Sequence, residues 1–220
     1  MCTGRVDLSY LFRALRKGAD GVIIGGCWPG ECHYVTEGNY DALGNVYLAK
    51  KLLTFIGIAP ERLRLEWISA AEGMRFAEVM NDFNRQLAGL GPLGRADSET
   101  IEPAQLQLRL AALDQLVPYL KLVERERLRV PERTEAAYEA FFTSERTEAL
   151  LRALVLDELA IGQIALLLEQ GPLSTAEIAE RLGLEPSAVS KHIKQSSRQG
   201  LVRYDPEHKR FELARARAAG

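Results

Sequence analysis

The chain has 220 residues, 47% hydrophobic and 26% charged, with 28 basic and 30 acidic side chains for a net charge of −2. This is the make-up of a folded chain of one large or two small domains, and it supplies no overall field that would draw the chain onto nucleic acid or a lipid surface. The most apolar stretch, residues 150–168, is broken by Arg152, Asp157, Glu158 and Gln163, and no cationic start leads into an apolar leader, so a cytoplasmic protein with no membrane span is expected.

Charge is unevenly spread along the chain. Residues 1–90 carry 10 basic and 10 acidic side chains, residues 91–170 carry 9 and 14, and residues 171–220 carry 9 and 6. An acidic middle followed by a basic end points the C-terminal piece toward a polyanion or an acidic partner.

In chain order, residues 7–17 read as a helix, with Leu8, Leu11, Phe12 and Leu15 on one face and Gly18 as the stop. Residues 21–25 are a short β-branched run between glycines, the pattern of a buried parallel strand. A Gly/Pro loop with neither period follows, then a helix over 39–56, a strand over 63–68 and a helix over 72–90. That alternation predicts a small parallel α/β domain over 1–92. The unit lacks the first strand that usually opens one. Residues 91–103 are polar with Gly and Pro and read as a linker. A helical region over 93–145 carries an apolar stripe at Leu106, Leu110, Leu113, Val117 and Leu120, read as core packing or a dimer seam, with a bend at Pro118.

The last domain is expected over 146–214, with a tail at 215–220. Ser174 caps a helix over 176–182, residues 183–186 turn, and residues 187–198 form a second helix ended by Gly200. Ile178, Leu182, Leu184, Val189 and Ile193 would lock the two helices together. Two short strands around residues 205–209 make a wing. This string resembles a winged helix-turn-helix of the arsenic-repressor type. In DNA-binding members of that fold the second helix enters the major groove, so Ser187, Ser190, Lys191, Lys194 and Arg198 would face a duplex, with Arg203, Lys209 and Arg210 at the wing. The same fold also serves as a protein-binding module, and both readings stand.

Cys2, Cys27 and Cys32 are the only cysteines and all lie in the first 32 residues. An odd, clustered set in a reducing compartment favours thiolate metal chemistry over a disulfide framework. Soft thiolates on a glycine loop suit an iron–sulfur cluster or zinc. Trp28, His33 and Tyr34 are cluster-adjacent candidates, to pack over the site or orient its loop. No dinucleotide fingerprint and no P-loop occurs, and three histidines offer no nucleophilic triad; no catalytic residue is expected.

The words around the cysteines are more specific than their spacing. Met1-Cys-Thr-Gly-Arg5-Val-Asp7, Gly18-Ala-Asp-Gly-Val22, Gly26-Cys-x-x-Gly-x-Cys-His-Tyr34 and Glu61-Arg-x-Arg-Leu-Glu-Trp67-Ile-Ser-Ala70-x-Glu72-Gly together resemble the delta subunit of the methyl-viologen-reducing hydrogenase. The resemblance covers residues 1 to about 92. It implies a [2Fe–2S] cluster on Cys2, Cys27 and Cys32, with the fourth ligand not identified in this chain, and zinc as the alternative. It further implies a non-catalytic electron-transfer subunit in a hetero-oligomeric complex. Its partners would be a hydrogenase or formate dehydrogenase and a flavin-containing heterodisulfide-reductase-like A subunit. Family members carry a further cysteine-rich segment and a first strand before the first motif, so truncation at the N-terminus, through an upstream selenocysteine codon read as a stop, is an expectation. Two other functions remain: a redox-responsive winged-helix DNA-binding regulator, and an assembly module without a cluster.

Overall fold

The computed structural model describes residues 2–99 and 101–214, so the tail expected at 215–220 lies outside the described residues. The chain divides into two units, Met1–Leu151 and Arg152–Gly220. Among the described residues no helix is long and apolar enough to cross a membrane.

The first unit grows from the predicted periods. Helix α1 (Leu8–Arg16) begins at Asp7, whose carboxylate accepts the Ser9 N–H at 2.9 Å, and it buries Leu8, Leu11, Phe12 and Leu15. Strand β1 (Val22–Gly26) pairs in parallel with β2 (Leu63–Trp67), from Val22 opposite Leu63 to Gly26 opposite Trp67. The connection between them contains α2 (Gly38–Phe55), which buries Leu43, Val46, Leu48, Ala49, Leu52 and Leu53. Helix α3 (Gly73–Leu90) follows β2. The α/β expectation is met by a two-stranded parallel sheet.

Two helices extend this unit. α4 (Pro103–Arg127) packs along α1 and runs through Pro118 as one helix. Leu106, Leu110, Leu113, Val117 and Leu120 are all buried within the chain, so the stripe is core and is not free to form a dimer seam. α5 (Glu135–Thr143) packs on α2, with Tyr47 stacked on Phe142 at 5.5 Å and Tyr40 on Tyr138 at 5.8 Å between ring centroids.

The Gly/Pro stretch before α4 is anchored by a buried ion pair. Arg62 and Glu99 side chains are both 0% exposed, with Nη2 and Oε2 2.7 Å apart. Glu99 also accepts the Ala59 N–H at 2.5 Å and the Gly94 N–H at 3.2 Å, while Arg62 donates to the carbonyls of Asp20 at 2.8 Å and Pro92 at 3.2 Å. Burial alone would raise the Glu99 carboxyl; the Arg62 guanidinium and the two backbone N–H groups outweigh it and hold the group below the usual carboxylate range.

In the second unit the later turns of α6 (Glu145–Glu169) bury Val155, Leu159, Ile164 and Leu168. α7 (Thr175–Leu182) and α8 (Pro186–Arg198) form the helix-turn-helix, and β3 (Val202–Asp205) pairs antiparallel with β4 (Arg210–Leu213) as the wing. Ile178, Leu182, Val189 and Ile193 are buried as expected, but Leu184 is 36% exposed. It sits in the turn after Gly183, whose left-handed φ of 65° ends α7 and carries the chain away from the core. Ser174 and Glu177 form a complete capping box at the start of α7. Ser174→Ala is expected to cost about 1 kcal/mol locally, read as about fivefold faster amide exchange confined to α7.

Candidate metal centre

The cysteines are placed by three backbone devices. Cys2 precedes a 3-10 turn (Thr3–Arg5), in which the Arg5 N–H donates to the Cys2 carbonyl at 3.0 Å. Thr3 Oγ1 donates to the carbonyl of Gly25 at 2.9 Å and ties this turn to the end of β1. Cys27 follows directly on β1, and its carbonyl accepts from Asn39 Nδ2 at 2.6 Å. Cys32 lies at the far end of a loop closed by Gly38 N–H donating to the Tyr34 carbonyl at 2.9 Å.

These devices bring two sulfurs together. Cys2 Sγ and Cys32 Sγ stand 3.7 Å apart and both are free thiols, Cys32 buried and Cys2 half-buried. Two thiolates sharing one tetrahedral metal, at metal–sulfur bonds of about 2.3 Å, stand about 3.8 Å apart. The pair therefore has the spacing of two ligands to a single metal.

Gly38 explains how the sulfurs come so close to the start of α2. A Cβ on Gly38 would lie 2.4 Å from Cys32 Sγ and 2.8 Å from Cys2 Sγ, and one on Gly4 would lie 2.6 Å from the Gly38 carbonyl oxygen. Both positions need backbone without a side chain. Gly38→Ala is expected to spread the sulfurs and lower bound metal at least about tenfold while far-UV circular dichroism is unchanged.

Cys27 is half-buried. Among the described residues no group of three or more His, Cys, Asp or Glu side chains stands at metal-holding distance, so the structure unites Cys2 with Cys32 and does not bring Cys27 to the same point.

The comparisons with known proteins follow this geometry. The family profile described as "Methyl-viologen-reducing hydrogenase, delta subunit" matches residues 1–91, and that of the MarR family matches residues 156–210. The iron-sulfur D subunit of the F420-non-reducing hydrogenase of Archaeoglobus profundus is 57% identical over 91 residues, 41% of this chain and 66% of that protein. Its counterpart in Methanopyrus kandleri is 40% identical over 92 residues, 42% of this chain and 69% of that protein. The chain belongs to the hydrogenase delta-subunit family. In Methanosarcina acetivorans the A subunit of a ferredoxin/F420H2-dependent CoB-CoM heterodisulfide reductase is 46% identical over 94 residues, which are 43% of this chain and 12% of that protein. The chain thus spans under two thirds of the first of these relatives and a small part of the last.

Within the delta-subunit domain the other predicted neighbours take distinct places. Trp28 is half-buried; its indole N–H donates to Glu72 Oε2 at 2.7 Å and its ring lies 4.9 Å beneath the Arg75 guanidinium. The Ser69 N–H, at 2.7 Å, and the Trp28 indole together hold the Glu72 carboxyl below its usual range. The start of α3 therefore clamps the loop between Cys27 and Cys32. His33 is exposed, with its ring edge-on to Tyr34 at 5.1 Å, while Tyr34, 52% exposed, lines the same small pocket as Cys2 beside Gly38. Sequence reasoning missed Gly38, Asn39 and Arg75. The Gly-Asn step opening α2 was the available signal.

The expected winged helix-turn-helix is borne out, and the stretch that forms it is similar to the MarR family. All eight predicted contact residues are exposed. Several have partners inside the unit. Lys191 pairs with Asp157 at 3.1 Å, Arg203 with Glu212 at 2.7 Å and Arg210 with Glu177 at 3.0 Å, while Ser190 Oγ donates to the Pro186 carbonyl. Lys194 and Arg198 have no such partner among the described residues and line a concavity of about 460 Å³ between α8 and β4. Next to Lys191, His192 is buried with Nδ1 unpartnered, 3.9 Å from Asp157, and burial pushes its imidazole below the usual range against the pull of that carboxylate.

Proposed function

We propose that the chain is an electron-relay subunit whose N-terminal domain holds a [2Fe–2S] cluster through Cys2, Cys32 and Cys27. The fourth ligand is not identified among the described residues. The observation that carries this reading is the 3.7 Å Cys2–Cys32 pair seated against Gly38. A cluster there supplies a reversible one-electron couple. This chain's residues supply its setting: the α2 backbone at Gly38 lets sulfurs and main chain meet, buried Cys32 sits away from water, and the Trp28–Glu72–Arg75 clamp fixes the loop.

By likeness to subunits named for hydrogenase and for heterodisulfide reductase, the partners are a hydrogenase or formate dehydrogenase on one side and a flavin-containing heterodisulfide-reductase-like A subunit on the other, in a cytoplasmic hetero-oligomer. Iron and acid-labile sulfide per chain, with EPR after dithionite on anaerobically prepared protein, test the reading. About two irons and a reducible S = 1/2 signal are expected. Zinc alone, or no metal, overturns it.

A second reading, a redox-responsive DNA-binding regulator, is favoured by the MarR match and by Lys194 and Arg198 standing unpaired on α8. It requires duplex binding that weakens steeply between 50 and 200 mM salt, on the order of tenfold or more, and that is lost in Lys194→Ala/Arg198→Ala. Salt-insensitive or absent binding leaves the unit as a protein-docking module.

A further inference from the structure

The helices α4 and α5 lie outside both family matches, yet they build a second site beside the cysteines. With the 3-10 turn and α2 they enclose a cleft of about 1060 Å³. It shares Gly4, Arg5 and Asp41 with the smaller pocket in which Cys2 lies.

Three kinds of group face this cleft. Arg5, Arg129 and Arg133 line it. The Arg5 side chain makes no hydrogen bond or ion pair among the described residues. Arg129 uses only Nε, toward the Arg125 carbonyl, and Arg133 donates from Nη1 to the Tyr138 hydroxyl. The other two cations are already matched, Lys121 by Asp7 and Arg125 by Glu126. One wall is the half-buried ring of Tyr40, which stacks on the buried Tyr138 and has Arg133 6.0 Å over it. Glu124 also lines it, half-buried, its side chain without a hydrogen bond or ion pair among the described residues. Its Oε1 lies 3.3 Å from where a Cβ of Gly44 would be, so Gly44 makes the room it occupies. Burial, with Asp41 adding to it, pushes the Glu124 carboxyl up to about 7.

We propose that this cleft binds a purine nucleotide, with the phosphates on Arg5, Arg129 and Arg133, the base against Tyr40, and the base edge hydrogen-bonded to Glu124. The guanidinium forks of Arg5, Arg129 and Arg133 outnumber the Asp41 carboxylate, which attracts Arg5 and Arg133 within the same cleft, and match the oxygens of a di- or triphosphate. The volume is far above that of a phosphate group and close to the upper end of small-molecule sites, about 300–1,000 Å³. An unpaired carboxyl beside an aromatic wall asks for a flat ligand that brings its own N–H groups. A purine edge has them. The site goes beyond the electron-relay reading and does not depend on it.

The test is calorimetric titration of the full chain, with and without bound iron, using GTP, ATP, ribose 5-phosphate and pyrophosphate as probes. One purine nucleotide is expected to bind at least about tenfold more tightly than ribose 5-phosphate or pyrophosphate. Arg129→Ala, at an exposed position, is expected to weaken it about tenfold, and Glu124→Gln to change the GTP-to-ATP preference at least about fivefold. Circular dichroism of both variants guards against misfolding. The proposal is overturned if no nucleotide binds, if pyrophosphate binds equally well, or if either variant leaves its readout unchanged. Because the titration is read on iron-free chain as well, its failure and that of the electron-relay reading are separable.

Discussion

Replacing Cys32 by serine is expected to lower iron per chain at least about tenfold and to abolish the reduced EPR signal, with the helical content intact. The physical reason is the sulfur pair. Cys32 is buried with its sulfur 3.7 Å from that of Cys2, and a neutral hydroxyl there cannot replace a soft, anionic thiolate as a ligand. Cys2→Ser should act equally. Cys27→Ser separates two arrangements: loss as complete as for Cys32 makes Cys27 a ligand, whereas iron retained above about half assigns it a structural place at the end of β1. His33→Ala should change iron content less than about twofold, since its ring is exposed and rests on Tyr34.

The second large effect lies far from the sulfurs in sequence. Glu99→Ala is expected to destabilise the first unit by about 3–5 kcal/mol, because it leaves the Arg62 guanidinium buried without its counter-charge. Arg62→Met/Glu99→Leu should recover only part of that loss: it removes both charges but leaves the Ala59 and Gly94 N–H groups and the Asp20 and Pro92 carbonyls without these partners. Urea unfolding followed by tryptophan fluorescence, with Trp28 and Trp67 both in this unit, measures it. The pH dependence has a fixed sign. The folded Glu99 carboxyl titrates below its unfolded value, so its contribution is fully present above the unfolded value and is lost as pH falls through the folded one. Glu99→Gln should therefore show a shallower loss of stability on acidification below about pH 4.5 than the unmodified chain. An unchanged acid limb would contradict this account of the pair.

What the sequence revealed was what is local. The α1 period, its Asp7 cap, the β-branched β1 run and the Ser174–Glu177 box each act within a few residues, and the cysteine words carried the family. Leu184 misled because its apolar character was read as core when the left-handed Gly183 sends the chain outward. The Arg62–Glu99 pair was illegible for a different reason: 37 residues separate the partners, and Glu99 sits in a stretch whose Gly and Pro content reads as a linker. The cleft joins residues as far apart as Arg5, Gly44, Glu124 and Tyr138, so no local period announces it. Pairing over such separations is set by packing, which one sequence does not display.

Helix α2 gives the two sites a common mechanical element. Its first residue, Gly38, touches both sulfurs, and Gly44, about 9 Å further along the axis, touches Glu124 in the cleft. A helix transmits displacement along its length with little compression. A shift of α2 as a rigid body would carry Gly38 and Gly44 together, and at Gly38 less than the width of one methyl group separates main chain from sulfur. The sulfur pair and the cleft thus lean on one and the same helix.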